Sequence, residues 1–142
     1  MKTTAALIGL LLASPCAADE VDDLVATRPA FSRGDQPPQA TAKCGEVRAM
    51  SEGVGNTDFR LDLAVIGKLT SVRTDGALWY LTVCNLPDVR IMCVAYQQND
   101  MKTGDTVFIK GGYSRVDANH ILLDPCLASP PDSETPDGSA PK

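Results

Sequence analysis

Residues 59–72 read FRLDLAVIGKLTSV, and this stretch decides the fold class of the chain. In its first half every second residue is a large apolar one, which is the period of a half-buried β-strand. Gly67 interrupts the run, and a glycine there permits the bulge or sharp bend that lets one strand serve two sheets. The stretch therefore predicts the long, bent first strand of a small β-barrel.

Four shorter apolar segments follow, and turn residues separate each from the next. Gly, Pro, Asn and Asp cluster in these separators, where they favour tight reversals of the chain. The predicted strands are residues 78–84, 89–96, 106–110 and 120–124, the last of them ended by Pro125. Residues 97–102 hold at most one helical turn. This series predicts an all-β, five-stranded Greek-key barrel of the OB type, with an SH3-like barrel and a truncated sandwich as rival architectures.

The first eighteen residues have the layout of a secretory signal peptide. Lys2 supplies a positive start, and residues 5–12 form an apolar run that is too short to span a bilayer. We predict cleavage after Ala18, and hence a periplasmic or secreted protein. A lipid-modified Cys16 is the minority alternative, because Pro15 stands where a lipoprotein signal has a small residue.

The rest of the chain divides by composition into three parts. Residues 19–58 are polar and interrupted by prolines, so we predict an extended or disordered lead-in in which Cys44 tethers one or two helical turns. Residues 59–128 form the predicted OB domain. Residues 129–142 lack apolar periodicity and are predicted to be a disordered tail.

The charge of the chain argues against nucleic acid as a general partner. The formal net charge is −5, and residues 58–124 carry eight acidic and seven basic side chains. A groove that follows phosphates, or a surface that binds anionic membranes, usually brings a clear excess of Lys and Arg. We therefore predict a different class of partner.

The cysteines indicate disulfides. If Cys16 leaves with the signal, four remain, and an even number in an exported chain indicates two bridges with three possible connectivities. A metal site is the alternative, but no two of these cysteines form a Cys-x-x-Cys pair, and the single histidine, His120, does not have the spacing of a zinc ligand. We predict no metal.

Catalysis has little support in the sequence. His120 is the only imidazole, and it follows a predicted turn, where an exposed histidine has no need of a catalytic role. Asp75, Asp105 and Asp117 all lie in predicted turns, where aspartate serves local hydrogen bonding. We predict a protein that is not an enzyme, with no catalytic residues and no cofactor.

Several segments carry a resemblance to a known family. Residues 104–112, GDTVFIKGG, match the "G-D-x-V-x-[IV]-x-G" fourth strand that recurs in exported OB-fold proteins, and residues 65–72 are similar to their first strand. Residues 90–96 and 122–126 resemble the cysteine-bearing third and fifth strands of the tRNA-anti-like family of OB-fold proteins. The resemblance covers about residues 63–127. The chain departs from the family at Pro125 and in its very short connection between the third and fourth strands.

This resemblance implies a disulfide pairing. In an OB barrel the third strand lies beside the fifth, so Cys93 and Cys126 are expected to be partners. Cys44 would then join the lead-in to Cys84.

The OB fold also implies a binding face. OB domains bind oligonucleotides and oligosaccharides on strands two and three, where this chain offers Tyr80, Arg90, Met92 and Tyr96. The alternation along strand two predicts that Trp79 is buried and that Tyr80 points outward. We predict an exported, non-catalytic binding module that engages a protein partner or a cell-envelope polymer. The alternatives are a single-stranded nucleic-acid binder and a toxin-like glycan-binding subunit.

Overall fold

The computed structural model describes residues 17–97 and 100–131. These residues form two helices, α1 (Ala17–Thr27) and α2 (Cys44–Ser51). Their strands are β1 (Phe31–Arg33), β2 (Ala42–Lys43), β3 (Leu61–Thr74), β4 (Trp79–Val83), β5 (Arg90–Ala95), β6 (Thr106–Asp117) and β7 (His120–Ser129). Neither of these helices is long and apolar enough to cross a membrane. Most of the predicted signal peptide, Cys16 and the tail beyond residue 131 lie outside the described residues.

Five strands close into a barrel in the order β3–β4–β5–β7–β6 and back to β3. β5 and β7 run parallel, and the other four pairings of the barrel are antiparallel. Numbered within the barrel, this order is 1-2-3-5-4-1, the Greek-key arrangement of an OB fold. The predicted all-β barrel is confirmed.

β3 serves both sides of the barrel. Residues 62–68 pair with β6, residues 69–74 pair with β4, and the register shifts between Leu69 and Ser71. Gly67 lies just before this change of partner. A Cβ atom there would lie 2.6 Å from Cys44 Sγ and 2.6 Å from Val83 Cγ1. The glycine therefore makes room for a disulfide as well as for the change of strand partner.

The last strand differs from its prediction, because Pro125 does not end it. β7 continues to Ser129, and the Asp124–Pro125 peptide bond is cis. Pro125 falls where the β6–β7 register shifts, so the ladder does not need the N–H that proline lacks. Gly111 allows the close approach, since a Cβ atom there would lie 2.5 Å from the carbonyl oxygen of Pro125. β6 is also longer than predicted and runs to Asp117.

The prediction that the lead-in is extended or disordered was wrong. β1 pairs antiparallel with β3, and β2 pairs parallel with it. Phe31 and Val47 are fully buried, and Arg33 forms an ion pair with Asp22 at 2.6 Å. These short segments have too few apolar residues to fold alone, but the barrel gives each of them a surface to pack on. The predicted helical turns at Cys44 are present as α2.

Two disulfides staple the fold. Cys44 is bonded to Cys84 and Cys93 to Cys126, the pairs that the family resemblance implied. They span 40 and 33 residues. Loops of that length correspond to roughly 3–4 kcal/mol each in the chain-entropy model. The buried core between them consists mainly of Leu, Ile and Val, and its aromatic members Phe31 and Tyr113 meet edge to face with centroids 5.1 Å apart.

Candidate binding cleft

An open cleft lies on the outer surface of the barrel, across the second half of β3, β4, β5 and the start of β7. Its volume is about 510 Å³. We call it the outer cleft, and its lining consists of Thr70, Ser71, Arg73, Tyr80, Thr82, Asn85, Arg90, Met92 and His120. These groups are hydroxyls, guanidiniums, an amide, an imidazole, a phenol and one thioether.

Strand alternation explains why these side chains point outward. On β4, Leu81 and Val83 are buried in the barrel, so Tyr80 and Thr82, which alternate with them, face away from it. On β5, Ile91 is fully buried and Met92 is 41% exposed. The apolar residues that build the core therefore present the cleft residues on the opposite face.

The strand register sets the layout of the cleft. Arg73 on β3 lies opposite Tyr80, Thr82 lies opposite Met92, and Arg90 lies beside His120 on β7. The two arginines therefore stand at opposite corners, two strands apart and four residues apart along the strand direction. Strand geometry puts their Cα atoms about 16 Å apart.

Both arginines lack an acidic partner within residues 17–97 and 100–131. The ion pairs there join Arg33 to Asp22, Arg60 and Lys110 to Asp62, and His120 to Asp117. No lining residue of the outer cleft is acidic. The two guanidiniums of the outer cleft are therefore not neutralised by an ion pair with any described residue, and the carboxylates of Asp75 and Asp117 are hydrogen-bonded to the lining residues Tyr80 and His120.

Tyr80 is held at the edge of the cleft by the β3–β4 hairpin. Its hydroxyl donates to Asp75 Oδ2 at 2.9 Å, and Asp75 Oδ1 accepts from the N–H groups of Ala77 and Leu78. The backbone N–H of Leu78, followed by that of Ala77 and the Tyr80 hydroxyl, lowers the pKa of Asp75. The same carboxylate raises the pKa of Tyr80. The phenol ring therefore enters the site in a fixed orientation.

His120 is positioned by the turn before it. Its Nδ1 lies 2.8 Å from Asp117 Oδ1. The backbone N–H of Asn119 and, after it, the imidazole lower the pKa of Asp117. Since Nδ1 is engaged by Asp117, Nε2 is the ring nitrogen without a hydrogen bond to the described residues.

The structure brings together three of the four predicted face residues. Tyr80, Arg90 and Met92 line the outer cleft, whereas Tyr96 lines a separate pocket of about 310 Å³ with Arg60 and Leu127. Tyr96 donates to Asp124 Oδ1 at 3.1 Å and is 59% exposed. That any of the four binds a ligand stays a prediction.

Trp79 and the remaining lining residues of the outer cleft differ in part from the sequence predictions. Trp79 is only half-buried, although it packs against the core as expected. Sequence reasoning missed Arg73 and the hydroxyl groups of the cleft, among them Ser71 and Thr82. Thr82 could have been found from the alternation of apolar and polar residues along β4. Arg73 and Ser71 depend on the register shift in β3. Gly67 indicated a bulge or bend in this strand, but not the residue at which the register shifts.

Comparison with family models and with curated proteins found no match. Among solved structures, one that matches is assigned as an aspartyl-tRNA synthetase from Leishmania major Friedlin, with a TM-score of 0.43 and 8% identity. The match covers 68% of this chain and 22% of that chain. The OB topology is established by the strand pairing, and the resemblance to the tRNA-anti-like family stays a prediction.

Proposed function

We propose that this chain is an exported, non-catalytic OB-fold module that binds a cell-envelope polymer in the outer cleft. One observation carries the proposal: Arg73 and Arg90, without acidic partners in the described part of the chain, flank a row of hydroxyl groups on the face of the barrel. Such groups bind polar, anionic ligands by charge-assisted hydrogen bonds.

The shape of the cleft favours a chain-like ligand over a small one. Sites for small molecules are usually enclosed and mostly apolar, with a few polar groups that fix orientation. The outer cleft also exposes much apolar surface, but it is open, and polar side chains line it across β3, β4, β5 and the start of β7. A polymer can lie across such a surface and contact both corners at once.

Two further features support the other parts of the proposal. The disulfides Cys44–Cys84 and Cys93–Cys126 are typical of oxidising compartments, in line with the signal-like N-terminus. The charged groups of the cleft are guanidiniums, which remain protonated and so bind anions rather than transfer protons. His120 is held by Asp117 in its own turn.

Single-stranded nucleic acid is the second candidate, and the unpaired arginines are the observation that favours it. Proteins that bind single strands usually stack successive bases on several aromatic rings. Tyr80 is the one aromatic residue that lines the outer cleft. The polymer of the envelope is therefore the better supported ligand.

The test is a binding panel with cleft variants. Fluorescence anisotropy would measure the affinity of the purified, oxidised full chain for labelled acidic and neutral oligosaccharides, single-stranded DNA and single-stranded RNA. Tyr80→Ala and Thr82→Ala alter the cleft, and Tyr96→Ala is the matched control in the separate pocket. Far-ultraviolet circular dichroism and the unfolding midpoint establish that each variant is folded.

We expect at least one oligosaccharide to bind, and Tyr80→Ala to weaken that binding by roughly tenfold, as for the loss of one ring–ligand contact. Tyr96→Ala should bind as the wild type does. Binding that is unchanged in both cleft variants, or no binding to any member of the panel, would overturn the proposal.

A further inference from the structure

The two arginines of the outer cleft stand at opposite corners, so that each offers an anion site of its own. Their Cα atoms are separated by about 16 Å, from two interstrand spacings and four residues along the strands. The side chains can shorten this span, but Arg73 stands in the row of Tyr80 and Arg90 in the row of His120, with the row of Thr82 and Met92 between them. A ligand that binds each guanidinium over its own row carries anionic groups at two separated places.

The surface between the arginines is uncharged and rich in hydrogen-bonding groups. Ser71 and Thr82 supply hydroxyls that donate and accept, and Asn85 supplies an amide with both functions. The Thr70 hydroxyl donates to the backbone carbonyl of Thr82 and can still accept. These groups match the hydroxyls of sugar rings, which also donate and accept. The cleft therefore pairs anion sites at its corners with sugar-compatible groups between them.

We infer that the ligand is an acidic polysaccharide, whose carboxylates bind Arg73 and Arg90 and whose sugar hydroxyls lie over the row between them. This inference rests on the proposed function and names its ligand class. Guanidinium and carboxylate are matched in geometry, since two parallel N–H groups meet two oxygens.

The same surface fits a peptide less well. Extended peptides commonly bind by adding a strand to an open sheet edge. β4 is paired on both sides, to β3 and to β5, and β5 is paired to β4 and β7. The cleft thus offers side chains but no free backbone edge. A single lining aromatic, Tyr80, likewise gives little stacking surface for successive bases.

The experiment uses three probes of one sugar. They are oligogalacturonate, its fully methyl-esterified form, which keeps the backbone but removes the charge, and monomeric galacturonate. Isothermal titration calorimetry on the oxidised full chain would compare the wild type with Arg73→Gln, Arg90→Gln and the double variant. Lys102→Gln is the matched control, because it removes an exposed positive charge outside the cleft.

We expect each arginine variant to weaken oligogalacturonate binding by roughly tenfold, and the double variant by roughly a hundredfold, as for the loss of one and two charge-assisted contacts. Lys102→Gln should match the wild type. The monomer should bind far more weakly than the oligomer, because it reaches only one corner. Methyl esterification should remove the binding of the oligomer.

The outcomes separate this inference from the function on which it rests. Equal binding of the acid and the ester would overturn the acidic polysaccharide and leave a polymer-binding cleft. Binding of single-stranded DNA but of no oligosaccharide would overturn both, in favour of the second candidate of the proposed function. Galacturonate binding that survives in the double variant would overturn both. Failure of every polymer to bind the wild type would also overturn both.

Discussion

The substitution Gly67→Ala tests whether the glycine in β3 exists to admit the Cys44–Cys84 disulfide. A Cβ atom at this position would lie 2.6 Å from Cys44 Sγ, 2.6 Å from Val83 Cγ1 and 3.3 Å from Cys84 Sγ. None of these atoms is the free end of a long side chain. Val83 is fully buried and β-branched, and the sulfur atoms are cross-linked.

The expected cost follows from two opposing effects. Adding a methyl group to a packed core typically costs about 1–3 kcal/mol. Replacing glycine by alanine also restricts the unfolded chain, which returns about 0.4–1 kcal/mol. Since Gly67 meets two near contacts at once, we expect a net loss of about 1–2 kcal/mol in the free energy of unfolding.

Gly45→Ala provides the matched control, because the same methyl group there meets nothing within 4 Å. Gly45 lies in α2, where alanine is favoured over glycine by up to about 0.5–1 kcal/mol. Urea denaturation with the disulfides intact would measure both variants, with the midpoint compared at a common m value. A thiol assay would establish that Gly67→Ala still forms both bridges. Equal stability of the two variants would refute the reasoning.

Three further predictions concern single contacts. Tyr113→Phe should lower the free energy of unfolding by about 1–2 kcal/mol, because the buried carbonyl of Val54 loses its donor at 2.8 Å; an unchanged urea midpoint would contradict this. Asp75→Asn should lower the pKa of Tyr80 toward its ordinary value, since the carboxylate that accepts from its hydroxyl is gone; NMR titration of the ring would measure this, and a pKa that stays raised would count against it. Arg48→Ala should lower the free energy of unfolding by about 1 kcal/mol, because it removes exposed hydrogen-bond donors to the β4–β5 and β6–β7 loops. Faster hydrogen exchange in α2 would report this loss, and unchanged exchange would argue against it.

The pH dependence of the Asp75 contact has a definite sign. The folded state lowers the pKa of Asp75, so its contribution to stability is present above the ordinary pKa of aspartate. That contribution is lost as the pH falls through the lowered value. Protonation of Asp75 at low pH should therefore loosen the β3–β4 hairpin, which would appear as faster amide exchange at Ala77 and Leu78, whose N–H groups it accepts.

The barrel could be predicted from the sequence because its signals are local. Alternation over residues 59–72 and turn residues between the later strands report the period and the reversals directly. The prediction that Pro125 ends the last strand was wrong for the opposite reason. β7 tolerates this proline because glycines of another strand leave room for it. Gly111 and Gly112 come close to residues 124–126, and that contact joins parts of the chain that no local pattern connects.

The lead-in was misjudged on similar grounds. Val21 and Phe31 belong to segments too short and too polar to form structure on local signals, yet they are 5% and 0% exposed. They are ordered because they pack on a barrel whose strands come later in the sequence. The β3 side of the outer cleft was missed for the same reason, because Arg73 and Ser71 reach it only through the register shift of β3.

The ordered lead-in covers part of one edge of β3. β4 pairs with β3 only from Leu69 onward, which would leave the same edge of β3 open in its first half. β1 and β2 occupy that edge, at residues 61–63 and 65–66. An open edge would invite the backbone of any extended chain, whatever its side chains. Since the lead-in covers that edge at these residues, the proposed binding would depend on side chains of the outer face, such as Arg73 and Arg90, rather than on the backbone of β3.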